Sequence, residues 1–263
     1  MLKLVFCEFL KLKRKPLTFA SAVLSVFIPL AFALFLNDAR TSAEAVQDIM
    51  SCMFQLSAYL LLIPLVVVLA ANLLFEEQDH DTLKNLLAIP IRKSSLAVAK
   101  MLVLLIFSLL FMAVGSILCL VILLLQGWEP TGFAPLFFVG LGESILMWAG
   151  ALPCILLIVA LNKSYIVSVI ITFFYTTANY LFATIDFFVT QPFGINMGTL
   201  LPGPLTFRWI YQFYDFSNPG PELAALLEKI SPYFVSTPQA FCVAAAEGVI
   251  FLALIAMVYK RQS

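Results

Sequence analysis

The sequence predicts an all-α polytopic membrane protein with six transmembrane helices, an N-terminal amphipathic interfacial helix and both termini in the cytoplasm. Three observations lead there. Of 263 residues, 62% are hydrophobic and 11% charged, against about 25% charged in soluble domains; mean hydropathy is +1.03. Apolar runs of the roughly 20 residues that a helix needs to cross a bilayer recur along the chain. Lysine and arginine fall mostly on one side of the arrangement those runs create.

Residues 1–15 come first. Leu2, Val5, Phe6, Phe9 and Leu12 share one face at helical spacing, and lysines occupy much of the remainder. Such a helix is expected to lie on the inner leaflet, where anionic lipid attracts its basic cluster; Pro16 separates it from the first span. The spans are expected at 17–36, 51–74, 96–125, 134–161, 165–189 and 239–259. Pro29, Pro64 and Pro153 fall inside them, which a membrane helix tolerates as kinks because neighbours satisfy the freed carbonyls. Basic residues, an apolar run and Ala43-Glu44-Ala45 imitate a secretory signal with its cleavage site. The run is long for a signal and five further spans depend on it for topology, so it is expected to stay.

Orientation follows from the basic residues. With the N-terminus inside, Lys3, Lys11, Lys13, Arg14, Lys15, Lys84, Arg92, Lys93, Lys100, Lys163, Lys260 and Arg261 are cytoplasmic, and only Arg40, Arg208 and Lys229 lie outside. The longest outer segment, 190–238, is rich in proline, glycine and aromatic residues. A loop of this length in a compact protein is usually functional. It is expected to fold back onto the outer membrane face, either as a lid over an exit path or as an inert cap, with a short helix at 222–230 begun by Pro221.

Three carboxylates lie inside expected spans. Asp186 is near enough to the outer end to reach water. Glu143 and Glu247 each sit about nine residues from the outer ends of their spans. An ionisable group there costs about 2.5–3.5 kcal/mol on insertion scales. Both are therefore expected at similar depth, facing the bundle interior, as candidate groups of a substrate pathway or as interhelical hydrogen-bonding groups.

Other functions find little support. The formal net charge is zero, which leaves no basic surface for nucleic acid. The five cysteines, Cys7, Cys52, Cys119, Cys154 and Cys242, form no CxxC pair and read as small hydrophobes rather than a metal or disulfide framework. His80 has no Cys or His neighbour, so no metal site is expected. There is no GxxxxGK[ST], HExxH or GxSxG motif, hence no catalytic residue and no nucleotide site of the chain's own.

The polar island at 75–95 separates two apolar stretches. It opens on Glu76, Glu77, Asp79 and Asp81 and closes on Arg92, Lys93 and then Lys100. Between these, Leu83, Leu86 and Leu87 share a helical face, an arrangement suited to docking on a soluble partner. The run Phe75-Glu76-Glu77-Gln78-Asp79-His80-Asp81-Thr82-Leu83-Lys84-Asn85-Leu86-Leu87-Ala88-Ile89-Pro90-Ile91-Arg92-Lys93, followed by Lys100, resembles the ABC-2 family of transporter permeases. The shared pattern is acidic residues, Thr-Leu, a Leu-rich turn, Pro with following basic residues and a Lys entering the third span; Asp81 stands where members often have Gly.

The layout of the whole chain, 1–263, resembles a single transmembrane domain of that family. The resemblance implies a separate ABC ATPase subunit, with ATP and Mg on that partner and no cofactor in this chain. It implies docking through Glu76, Glu77, Asp79, Asp81, Leu83, Leu86 and Leu87, and a second permease, identical or related, completing the path. The small size is similar to the bacterial branch that protects cells against bacitracin and lantibiotics, with a hydrophobic peptide or lipid-linked substrate at the plasma membrane. Other branches export drugs, lipid, polysaccharide or ions. A membrane anchor or sensor for an ATPase is the competing reading; an intramembrane enzyme lacks residues, and a lone channel leaves the docking segment unexplained.

Overall fold

The computed structural model describes residues 2–13, 16–35, 39, 41–79, 93–161, 165–214 and 221–261. Among them the regular structure is helical, with no strand. The elements are α1 (Leu2–Lys13), α2 (Pro16–Phe35), α3 (Ser42–Cys52), a π-helical stretch (Met53–Leu62), α4 (Ile63–Asp79), α5 (Lys93–Leu125), α6 (Phe133–Leu161) and α7 (Tyr165–Thr184). They continue with α8 (Asp186–Val189), α9 (Met197–Leu200), α10 (Pro202–Ile210), α11 (Pro221–Ile230) and α12 (Thr237–Arg261).

Among the described residues, five helical stretches are long and apolar enough to cross a membrane: Ser42–Leu74, Lys93–Leu125, Phe133–Leu161, Val167–Thr184 and Thr237–Arg261. The 20-residue α2, apolar and interrupted only by Pro29, precedes them. The chain is thus an all-α, multi-pass membrane protein.

Two expected boundaries move. The second span begins at Ser42, not at 51. Thr41 Oγ1 accepts from the Glu44 N–H at 3.2 Å while the Glu44 carboxylate accepts from the Thr41 N–H at 3.2 Å. This reciprocal capping box starts the helix, so Ala43-Glu44-Ala45 is its first turn. The fifth span ends at Thr184, and Asp186 opens the separate helix α8, ion-paired with Lys229.

The second span also contains ten π-helical residues that end two residues before Pro64. Proline has no N–H to donate and its ring displaces the carbonyl four residues back; the wider π turn accommodates that disturbance. The next hairpin is tight. α5 stops in a Schellman arrangement, with Trp128 N–H donating to Leu123 O at 3.0 Å and Gly127 N–H to Leu124 O at 3.1 Å. Gly127 holds the positive φ of 84° that this motif requires.

α6 lies at the centre, packed against α5, α4, α10 and α12. α1 lies along α5, and its inward face is Val5, Glu8, Phe9 and Leu12; Leu2 and Phe6, expected on that face, are exposed. Cys52, Cys119 and Cys154 are buried among apolar side chains, while Cys242, expected to be buried too, is exposed like Cys7.

Candidate functional site

The centre of the bundle is organised by Gly140-Leu141-Gly142-Glu143 on α6. The two glycines admit aromatic rings where a side chain would collide. A Cβ on Gly140 would lie 2.9 Å from Phe54 Cε1, and one on Gly142 2.7 Å from Trp209 Cη2 and 3.2 Å from Phe241 Cζ. Glu143 follows directly. Its side chain is fully buried, and neither carboxyl oxygen has a hydrogen-bond partner. Tyr59 of the π-helical stretch and Tyr214 lie within electrostatic reach of it.

Three donors on α6 and the π-helical stretch are committed elsewhere. Tyr59 O–H donates to Gly203 O at 3.0 Å, Gln55 Nε2 to the Tyr211 hydroxyl at 3.3 Å, and Ser144 O–H to Leu141 O at 2.7 Å. Leaving a carboxylate in such surroundings without compensation is costly.

Glu247 occupies a different level. Phe241 packs on Gly142, and Trp148 Cζ3 lies 3.8 Å from a Cβ on Gly248. α6 and α12 therefore run in the same direction, with Glu247 level with residues 147–148. At about 1.5 Å per residue this is roughly 7 Å beyond Glu143. Glu247 is half-buried and within electrostatic reach of Tyr175. The expectation of equal depth is corrected: the two carboxyls lie at different levels along the bundle.

The aromatic cover comes from segment 190–238, of which α10 packs among the long helices α6, α7 and α12. Every residue of α10 except Phe207 is buried. Gly203 seats against the Asn179 carbonyl of α7, where a Cβ would collide with that oxygen, and Pro202 fills the hollow left by Gly150 of α6. Arg208 staples the segment together: its Nε donates to Tyr233 O at 2.7 Å and its Nη1 to Gly198 O at 3.1 Å. Burial pulls its guanidinium below the usual arginine range. Trp209 Nε1 donates to Thr237 Oγ1 at 3.2 Å, and Gln212 Nε2 to Val235 O at 3.0 Å.

A second polar centre lies nearer to residues 80–92. Lys100 of α5, expected as the lysine entering the third span, is fully buried. Its ammonium donates to Leu73 O of α4 and lies 3.3 Å from a carboxylate oxygen of Glu8, which also pairs with Lys11 at 2.6 Å. One lysine thus joins α1 to both helices that border residues 80–92.

The expected docking residues lie mostly beyond description. Glu76, Glu77 and Asp79 fall in the last turns of α4, with side chains outside the described residues. Asp81, Leu83, Leu86, Leu87 and His80 lie outside the described residues altogether. The sequence reading missed Glu8, Tyr59, Arg208 and Tyr214. Only Glu8 carried a signal, as a lone acid on the inward stripe of a basic amphipathic helix, four residues before Leu12.

Residues 4–179, two thirds of the chain, match the family described as ABC-2 family transporter protein. A search of curated proteins finds no match. The chain belongs to the ABC-2 family of transporter proteins, and is accordingly the membrane permease subunit of an ABC transporter, whose ATPase is a separate partner.

Proposed function

We propose that this permease exports, or removes from the membrane, a hydrophobic peptide antibiotic of the bacitracin or lantibiotic type from the bacterial plasma membrane, driven by ATP and Mg bound on its partner ATPase. The observation that carries this reading is the aromatic, charge-poor surrounding of one buried carboxyl: Tyr59 and Tyr214 lie within electrostatic reach of Glu143, and Phe54, Trp209 and Phe241 press on the two glycines just before it. Such a lining suits an amphipathic or lipid-linked ligand better than a sugar, which calls for carboxamide groups, or a small ion, which calls for clustered oxygens.

In this reading residues 75–95 form the cytoplasmic coupling loop, with Leu83, Leu86 and Leu87 seated on the ATPase and Glu76, Glu77, Asp79 and Asp81 at its rim. Two permeases, identical or related, flank the path. Segment 190–238 is a re-entrant cover over it, and Glu143 and Glu247 are successive polar stations along it. Six spans with both termini inside put the Lys100 centre on the cytoplasmic side. ATP-driven closure of the ATPases then displaces the coupling loops and opens the path outward.

The test is expression with the cognate ATPase in a sensitive bacterium. Protection against bacitracin or a lantibiotic is expected, reduced by Glu143→Ala with Glu247→Ala at unchanged protein level. Unchanged sensitivity across a panel of such peptides, with an assembled complex that hydrolyses ATP, removes the antibiotic reading in favour of lipid, drug or ion export. Failure to assemble with any ATPase removes transport itself.

A further inference from the structure

The permease reading places a path near Glu143; the side chains around that carboxyl say what charge its ligand bears. Glu143 is fully buried with both oxygens unpartnered. Among the described residues, no basic side chain hydrogen-bonds to it. The two described basic residues at this end of the bundle are engaged elsewhere: Arg208 with the Gly198 and Tyr233 carbonyls, Lys229 with Asp186. The neighbouring donors of Tyr59, Gln55 and Ser144 are likewise spent on other acceptors. A positive charge for Glu143 therefore has to come from outside the described protein, as a proton when the site is empty or as part of a ligand when it is filled.

The wall supports the second partner. The rings of Phe54 and Trp209 press on the two glycines just before Glu143, and Tyr59 and Tyr214 lie close by. Aromatic faces attract cations through their quadrupoles, most strongly where water is excluded. A lone carboxyl within such a ring matches a large, delocalised or apolar-skirted cation and disfavours an anion of equal shape. Trp209 and Tyr214 belong to the 190–238 segment, which meets α6 through glycine–ring contacts, so displacing that segment uncovers the carboxyl.

We infer that Glu143 is the charge-reading group of a site for a lipophilic cation, walled by Phe54, Tyr59, Trp209 and Tyr214. The inference rests on the proposed path and narrows its substrates to amphiphiles bearing a positive charge.

The experiment uses the permease–ATPase complex in nanodiscs, with empty discs subtracted. Binding is measured for tetraphenylphosphonium, tetraphenylborate and the uncharged triphenylphosphine oxide. Wild type is expected to bind the cation about tenfold or more tighter than the other two. Glu143→Gln is expected to abolish that preference with binding of the uncharged compound retained, and Glu143→Asp to keep it. No cation preference in wild type overturns the inference, as does a preference that survives Glu143→Gln. Parallel loss of cation and uncharged ligand in Glu143→Gln also overturns it. Should Glu143→Gln not assemble, labelling of wild-type Glu143 by a lipophilic carbodiimide, read by peptide mass, replaces it: slowing by tetraphenylphosphonium supports the site, and unchanged labelling overturns it. An assembled, ATP-hydrolysing complex without cation preference removes this inference alone and leaves the permease reading standing.

Discussion

The Lys100 ammonium lies 3.3 Å from a Glu8 carboxylate oxygen, both side chains buried, and it also donates to the Leu73 carbonyl. An N-terminal helix at the edge of the bundle is thereby fixed to the two helices from which residues 80–92 are suspended. A buried pair contributes little net stability when whole, but removing one partner strands the other charge.

Glu8→Gln is therefore expected to destabilise the protein by about 3–5 kcal/mol, because it strands the buried Lys100 ammonium, and Lys100→Met by less, because Lys11 remains paired with the Glu8 carboxylate. The double variant Glu8→Gln with Lys100→Met should lose less than the sum of the two single changes. Unfolding in mixed micelles, analysed as a double-mutant cycle, gives the coupling. Additive losses from the two single changes would show that the residues act independently.

Docking is tested at Leu86. Leu83, Leu86 and Leu87, if buried on the ATPase, contribute about 1.5–3 kcal/mol each. Leu86→Asp is expected to abolish co-purification of the ATPase without affecting membrane insertion. Wild-type recovery of the pair would remove this segment from the interface.

Two glycines separate close approach from turn geometry. Gly203→Ala drives a methyl into the Asn179 carbonyl, and overpacking of this kind costs about 1–3 kcal/mol. Gly127→Ala meets open space but needs a φ of +84°, at a cost of about 1 kcal/mol. The expected signature is selective: Gly203→Ala exposes cysteines introduced in 190–210 to thiol reagents, whereas Gly127→Ala lowers the thermal midpoint without doing so.

Arg208→Lys is expected to loosen the same segment, because one ammonium cannot reproduce the fork that reaches both Gly198 and Tyr233. Faster proteolysis within 190–238, with the long helices still protected, is the expected readout. Protection equal to wild type would assign the staple to the other hydrogen bonds of the segment.

Most helices were legible because the solvent dictates them: in hydrocarbon a chain satisfies its backbone internally, so length and apolarity suffice. The start at Ser42 was obscured by Glu44, Gln47 and Asp48, which read as an aqueous loop, although Thr41 and Glu44 at capping-box spacing mark a helix start. The π-helical stretch had Pro64 as its only local cue. Glu143 was legible as a charge out of place. Its surroundings were not, because Tyr59 and Tyr214 reach it, and Trp209 reaches the adjacent Gly142, from distant parts of the chain through packing that no local pattern encodes. The Glu8–Lys100 pair was hidden for the same reason.

The seat of α10 between α6 and α7 has a consequence for biogenesis. Pro202 needs the hollow at Gly150, and Gly203 needs the Asn179 backbone. Neither receptor exists until α6 and α7 have entered the bilayer and come together, and residues 233–237, which tie down the far side of the segment, are synthesised later still. Residues 190–238 therefore cannot mature in step with the ribosome. They dock last, onto a scaffold already inserted, as a separate folding event in which helix insertion precedes tertiary closure.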